Sequence, residues 1–273
     1  MQDTYLIIGL AQEDYAVPIE HVLGLLKYDP DALSRPFGAE SKINGFLAHQ
    51  GSVIPVKDLR LALGLPSMAD ETQEVIQTLD ARKQDHINWL DELESSVREN
   101  RPFRLTTDPH ACKFGKWYDN IRSTPDNINQ FTNGNGTLDG ILHAFDQPHT
   151  RIHALAVQVG QLVAEGQQDQ AIKVIERTRN GDLHTMINLF DRARSLVSSL
   201  RRTLLLVLEH DGEGMGLLID QVSNLRTLTD DDMQSITADS NLIKCMALPN
   251  PSAPPIAIVD VEALYDSAKA VAA

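Results

Sequence analysis

Leu204-Leu-Leu-Val-Leu-Glu-His-Asp-Gly-Glu-Gly-Met-Gly-Leu-Leu-Ile219 decides how the chain is organised. Two apolar runs, Leu204 to Leu208 and Met215 to Ile219, flank His210-Asp-Gly-Glu-Gly. An Asp-Gly pair between such runs is a hairpin signal, because both residues tolerate the left-handed backbone of a tight turn. Upstream, from Asp70 to Arg202, apolar residues recur three and four apart, the period of a helix. Further upstream, from Thr4 to Leu65, short strands read again: Tyr5 to Leu10, Tyr15 to Ile19, Val22 to Leu26, Gly45 to His49 and Ser52 to Val56. Strands also follow the hairpin, over Val222 to Leu228, Leu242 to Leu248 and Ile256 to Val259, before a short helix from Glu262 to Ser267. The order is β, α, β. Helices whose two ends lie close together make a natural insert, and insertion at an exposed loop costs little loop entropy. Two separate all-β domains of about 70 residues around a bundle are one arrangement; one interrupted β domain, with halves 1–66 and 203–273 around a helical segment 67–202, is the preferred expectation.

Composition sets the outer limits. The chain has 273 residues, 42% hydrophobic and 23% charged, which is globular composition with room for two domains. With 38 acidic against 24 basic side chains the formal charge is −14, so the chain repels phosphate backbones and nucleic acid is not an expected partner. No apolar run approaches the roughly 20 residues of a membrane helix, so no direct membrane insertion is expected. Met1-Gln-Asp-Thr-Tyr lacks the basic start and apolar core of a signal peptide, giving a cytoplasmic expectation. Two cysteines, Cys112 and Cys245, exclude a disulfide scaffold.

Within the helical segment, Val75, Ile76, Leu79, Ile87, Leu90, Leu93 and Val97 form one apolar stripe, ended by Asn100-Arg-Pro. A short helix from Gly115 to Ile121 follows, then a polar Asn/Gly loop from Pro125 to Gly136. Two helices come next, about Asp146 to Glu165 and Asp169 to Leu200, separated by Gly166-Gln-Gln. Such short connections predict antiparallel neighbours in a small bundle.

In the β halves, Gly51 supplies a turn, Pro55 marks a strand end or edge, and Asp58 can cap a short helix from Leu59 to Leu63. A loop punctuated by Pro and Gly runs from Asp29 to Ser41. Tyr5-Leu-Ile-Ile, Tyr15-Ala-Val-Pro-Ile-Glu-His-Val, Ile43-Asn-Gly-Phe-Leu-Ala-His-Gln-Gly-Ser-Val-Ile-Pro-Val-Lys-Asp-Leu-Arg and Leu63-Gly-Leu, then Gly216-Leu-Leu-Ile-Asp-Gln-Val and Ile258-Val-Asp-Val-Glu-Ala-Leu, together resemble the CheW-like chemotaxis coupling domain. The resemblance implies an α+β fold: a split double β-barrel carrying an inserted antiparallel helical bundle. It also implies chemotaxis-type partners, a chemoreceptor and a histidine kinase. Gln50, preceded by His49, stands where that family commonly has Arg before the turn glycine, so the family's usual contacts are not carried over at that position.

Of the nine histidines, His149 and His153 lie four apart on a helix that Asp146 can cap, so both rings leave one face. Cys112 precedes the short helix and His86 lies midway along the first long one, so three helices could present ligands to one point. Each residue alone also reads as packing: Cys112 as a small buried hydrophobe, His86 as a bundle histidine. His86-Ile-Asn-Trp, Cys112-Lys-Phe-Gly-Lys-Trp-Tyr and Pro148-His-Thr-Arg-Ile-His resemble the motifs of the chemoreceptor zinc-binding domain. That resemblance implies one Zn2+ site made by His86, Cys112, His149 and His153, sensing of zinc or of oxidants such as hypochlorous acid, and a homodimeric arrangement common in that family. One thiolate and three imidazoles suit zinc, with bonds of about 2.3 Å to sulfur and about 2.0–2.1 Å to nitrogen.

The remaining candidates have plainer readings. His110 and His143 are either neighbours of the ligands or solvated, His184 is structural, and Cys245 packs in an apolar strand. Trp89 and Trp117 anchor the core beside the site, and Gly115 permits a close backbone approach. An enzyme is not expected. The helix-borne His pair lacks the Glu of zinc proteases, and four protein ligands leave no open position. Asn133-Gly-Asn-Gly has no phosphate-binding Lys, and Gly212-Glu-Gly-Met-Gly belongs to a hairpin. The expected function is a signalling adaptor that binds zinc. The alternatives are a constitutive scaffold with structural zinc, a zinc store and a zinc-dependent hydrolase.

Overall fold

The computed structural model describes residues 2–35, 43–236, 241–250, 252 and 254–269; the end of the expected 29–41 loop lies outside them. The chain divides into two compact units, Met1–Glu71 with Arg201–Ala273, and Thr72–Leu200.

The first unit is two sheets. Its strands are β1 (Gln2–Leu10), β2 (Glu13–Pro18), β3 (Val22–Lys27), β4 (Gly45–His49) and β5 (Ser52–Asp58), then β6 (Leu204–His210), β7 (Glu213–Ile219), β8 (Gln221–Thr229), β9 (Met233–Gln234), β10 (Ile243–Ala247) and β11 (Ile256–Val259). One sheet has the order β8-β1-β2-β11-β10-β9, the other β3-β6-β7-β5-β4. Both sheets mix the two chain segments. The parallel pairings β2 with β11 and β5 with β7 join them, as do the antiparallel pairings β1 with β8 and β3 with β6. Neither segment completes a sheet alone, which is why a β, α, β chain forms one β unit. Ile8, Leu10, Val17, Leu206, Leu208, Leu217 and Ile219 pack its main core.

Three hairpins turn on two residues with positive φ: Ala11-Gln12, Gln50-Gly51 and Asp211-Gly212. Such turns match the right-handed twist of the flanking strands. Pro55, expected at a strand end or edge, lies inside β5, between β4 and β7. It is tolerated there because the parallel register with β7 begins one residue later, at Val56, so its missing N–H removes no rung of that ladder. Asp58 caps α1 (Leu59–Ala62), accepting from the N–H groups of Arg60 and Leu61.

Arg60 is a polar centre of this unit at 3% exposure. Its Nε and Nη2 donate to the Asp220 carboxylate at 2.8 and 2.9 Å, and its Nη1 donates to Glu71 Oε2 at 2.7 Å and to the Pro66 carbonyl at 3.0 Å. Arg201 Nη1 donates to the other Glu71 oxygen at 2.8 Å. Burial pushes the Glu71 carboxyl up, and the two guanidinium groups overcome that and hold it below its usual range.

The second unit is helical: α2 (Met68–Arg98, entering it at Thr72), α3 (Lys113–Arg122), α4 (Pro125–Thr132), α5 (Gly136–Ala144), α6 (Asp146–Ala164), α7 (Gln168–Thr178) and α8 (His184–Leu200). The segment 125–136, expected as a polar loop, is instead largely helical. Thr124 caps α4 with Pro125 in its first turn, Asn133 ends it in the left-handed region, and Asn135 caps α5. Phe131, Leu138, Ile141 and Leu142 are buried, and that burial outweighs the weak helix propensity of Asn and Gly. The helix expected over 169–200 is interrupted by a π turn at Arg179–Leu183. The widened turn carries Arg179 onto Asp91 and Glu94 of α2 at 2.7 and 2.8 Å, and Asp182 onto Arg151 of α6 at 2.7 Å. Phe114, Phe145 and Phe190 are the largest side chains wholly inside this core.

A further helix, α9 (Val261–Lys269), closes the chain, burying Leu264 and Tyr265 against the β core. No helix of the described residues is long and apolar enough to cross a membrane.

Candidate metal centre

The helical unit gathers four metal-ligating side chains at one point. His86 comes from α2, Cys112 from the N-cap of α3, and His149 and His153 from successive turns of α6. The potential ligand atoms of these four all lie within 4.8 Å of one another. Cys112 Sγ is 3.3 Å from His149 Nε2. Bonds of about 2.0–2.3 Å around a tetrahedron leave ligand atoms about 3.3–3.6 Å apart, so this pair already has the spacing of two zinc ligands.

The histidines are buried at 3%, 5% and 1% exposure for His86, His149 and His153. His86 Nδ1 lies 2.8 Å from the Arg82 carbonyl. A carbonyl only accepts, so the proton sits on Nδ1 and the lone pair on Nε2 faces the cluster. That Nε2 has no hydrogen-bond partner, and neither has either ring nitrogen of His153. Unpaired buried nitrogens are costly, and a bound metal ion would pair His86 Nε2 and one ring nitrogen of His153. The donor set fits a divalent borderline metal.

Burial lowers all three imidazoles, and the charge of neighbouring rings adds to it for His149 and His153. For His149, burial and then His86 and His153 bring the value to about 3. For His153, burial and then His86 bring it to about 4; the Thr106 carbonyl opposes this without a hydrogen bond of normal geometry. Burial also lowers His86. All three are neutral near pH 7, the form that binds metal.

Cys112 is half-buried, and burial pushes its thiol up despite the N–H groups of Gly115 and Phe114. Gly115 N–H donates to Sγ at 3.1 Å. A Cβ on Gly115 would lie 1.8 Å from the Pro109 carbonyl oxygen, so this glycine permits the loop to fold over the start of α3, as its place in the motif led us to expect.

Phenylalanine 114 walls the cluster, its ring 4.8 Å from that of His149 and 5.4 Å from that of His86, both edge to face. Trp89 packs 5.0 Å from His153 and donates its indole N–H to the Thr106 carbonyl at 2.8 Å. Trp117 is half-buried against Phe114 and Phe131. On one side a cavity of ≈ 270 Å³ reaches His149, lined also by Pro109, Gly115, Tyr118 and Arg122.

Asp146 does not cap α6 through its side chain. Phe145 precedes it with helical backbone, and the Asp146 carboxylate instead accepts from Arg122 at 2.6 Å and from the Tyr118 hydroxyl at 2.8 Å. His110 and His143 are exposed and turn to Asp119 and Asp139, at 2.9 and 3.6 Å. His184, expected as structural, is exposed. Cys245 is half-buried on β10 beside Met233. The Tyr118, Arg122 and Asp146 network was not anticipated; the only local signal was the i, i+4 spacing of Tyr118 and Arg122.

Residues 4–92 match the CheW-like domain, and residues 86–159 match the chemoreceptor zinc-binding domain. No curated protein matches the chain. Among solved structures it is similar to the scaffolding protein TtCheW from Thermoanaerobacter tengcongensis, at 11% identity and a TM-score of 0.42, covering 97% of this chain and 88% of that one. The chain carries a CheW-like domain followed by a chemoreceptor zinc-binding domain, and its helical unit holds a His/Cys cluster able to take zinc.

Proposed function

We propose that this protein is a non-enzymatic adaptor of the chemotaxis type, in which His86, Cys112, His149 and His153 hold one Zn2+ and the state of that site alters docking to a chemoreceptor and a histidine kinase. Residues 1–66 and 203–273 are the coupling domain in this reading, and 67–202 are the sensing insert. The observation that carries it is the convergence of four ligand atoms within 4.8 Å, three of them imidazole rings held neutral by burial.

Zinc, when bound, keeps the Cys112 sulfur as thiolate at neutral pH. The chain does the rest. Arg82 fixes the His86 tautomer, and the Gly115 N–H steadies the sulfur. Phe114 and Trp89 wall the site on one side, while Cys112 is itself only half-buried and open to a small oxidant. Net oxidation by hypochlorous acid converts thiolate to sulfenic acid: sulfur gains the OH group and chloride leaves with the electron pair. A sulfenic sulfur is a poorer ligand, so oxidation and zinc loss push the site in the same direction. The reading goes with a cytoplasmic location, where free thiols persist.

Closure of the site by four protein ligands favours a second reading, a structural zinc in a constitutive scaffold. Binding of a purified chemoreceptor signalling fragment and histidine kinase to zinc-loaded, chelated and hypochlorite-treated protein separates the two. A change in affinity between states supports the sensor, and equal affinity in all three leaves the scaffold.

A further inference from the structure

We propose that His21 and His210 form a second, weaker divalent-metal site in the β unit, with Glu20 and Asp211 as oxygen donors. His21 ends a one-turn 3-10 helix (Ile19–His21), and His210 ends β6. Their ring centroids are 5.1 Å apart, inside the 4.8 to 6.0 Å range of the three histidine pairs in the helical cluster.

The tautomer of His21 is already set. Its Nδ1 lies 3.0 Å from the Glu209 carbonyl, which can only accept, so Nε2 carries the free lone pair. This is the backbone-oriented arrangement common to metal-binding histidines. Glu20 Oε1 stands 3.8 Å from that Nε2, and Asp211 Oδ2 stands 3.7 Å from His210 Nε2. Both separations are too long for hydrogen bonds and short enough for a cation to bridge. The two carboxylates are 79% and 90% exposed, so they can swing toward an ion, whereas the rings are held at 21% and 26%.

Behind His210 lies Tyr265, its ring 5.5 Å away and its buried hydroxyl without a partner. Burial, followed by the charges of Glu209 and Glu213, raises that phenol, a sign of the negative field around the histidine pair. Imidazole nitrogen with carboxylate oxygen suits Zn2+, Ni2+ or Cu2+; Mg2+ and Ca2+ prefer oxygen alone. Because His21 comes from the first chain segment and His210 from the second, an ion here would clip the two together.

The test is titration of the full chain with Ni2+ and, separately, with Zn2+, following metal stoichiometry, alongside Co2+ absorption for thiolate ligation. The expected result is one sulfur-bound class and one weaker class free of sulfur. His21→Gln with His210→Gln weakens the second class by about tenfold or more and leaves the thiolate band. Survival of the weaker class in that variant, or its absence from the wild-type chain, overturns the proposal. The exposed pair Glu20→Gln with Asp211→Asn provides a variant with little risk to folding, and it is expected to weaken the same class several-fold. In the wild-type chain, a second equivalent of Zn2+ should shift the imidazole NMR signals of His21 and His210. Unmoved signals count against the site independently of any variant.

Discussion

Cys112 Sγ lies 3.3 Å from His149 Nε2, although the two residues sit on different helices and the sulfur is the N-cap of its own. An N-cap sulfur has a fixed direction, because the Gly115 N–H holds it at 3.1 Å. The site is therefore preorganised on the sulfur side, and the imidazoles close onto it from α2 and α6.

Replacing Cys112 by Ala should remove the Co2+ thiolate absorption band and weaken zinc binding by on the order of 10–100-fold, while the metal-free helical unit stays folded. Competition with a chromophoric chelator measures the affinity, and circular dichroism checks the fold. Unchanged affinity would remove Cys112 from the ligand set.

Gly115→Ala places a methyl group against the Pro109 carbonyl, at a point 1.8 Å from its oxygen in the present backbone. The backbone must yield, at a cost of about 1–3 kcal/mol. Because the same segment orients the Cys112 sulfur, zinc affinity should fall along with thermal stability. Loss of stability alone would mean the sulfur is positioned by something else.

In the metal-free protein His149 is depressed to about 3 and His153 to about 4, against an ordinary value of 6.5, with burial as the main cause. Between those values the unfolded chain binds protons that the folded chain refuses. Their stabilising contribution is thus complete above pH 6.5 and is lost as the pH falls toward 4 and then 3. Denaturant melts of the metal-free chain from pH 7 to 4 should show that decline, and His149→Gln with His153→Gln should flatten it. The raised Cys112 thiol acts on affinity instead: zinc must displace its proton, so binding should strengthen with rising pH.

Arg60 ties the Asp220 and Glu71 carboxylates and the Pro66 carbonyl within the β unit. Arg60→Ala strands a largely buried Asp220 carboxylate and should cost about 3–5 kcal/mol by urea denaturation. Zinc stoichiometry should be unchanged. A cost near zero would show that water replaces the guanidinium.

The strands and the long helices were legible because each carries an unbroken period, and the Asp211-Gly212 hairpin because both turn residues tolerate positive φ. Ala11-Gln12 makes the same turn without that signal, driven by strand pairing on both sides. The segment from Pro125 to Gly136 reads as a loop because its Asn and Gly content masks α4 and the start of α5. Thr124 before Pro125, and Asn135 three residues before Leu138, were the caps that could have revealed them. The π turn leaves no mark in the periodicity, since its cause is the long-range pairing of Arg179 and Asp182 with other helices. Asp146 was misassigned for the same reason: its partners Tyr118 and Arg122 lie on α3.

X-ray absorption on the zinc-loaded full chain tests the central claim most directly. The account predicts one zinc per chain in the tight site, with one sulfur at about 2.3 Å and three nitrogens at about 2.0–2.1 Å. A first shell without sulfur, or one filled by oxygen, would contradict it.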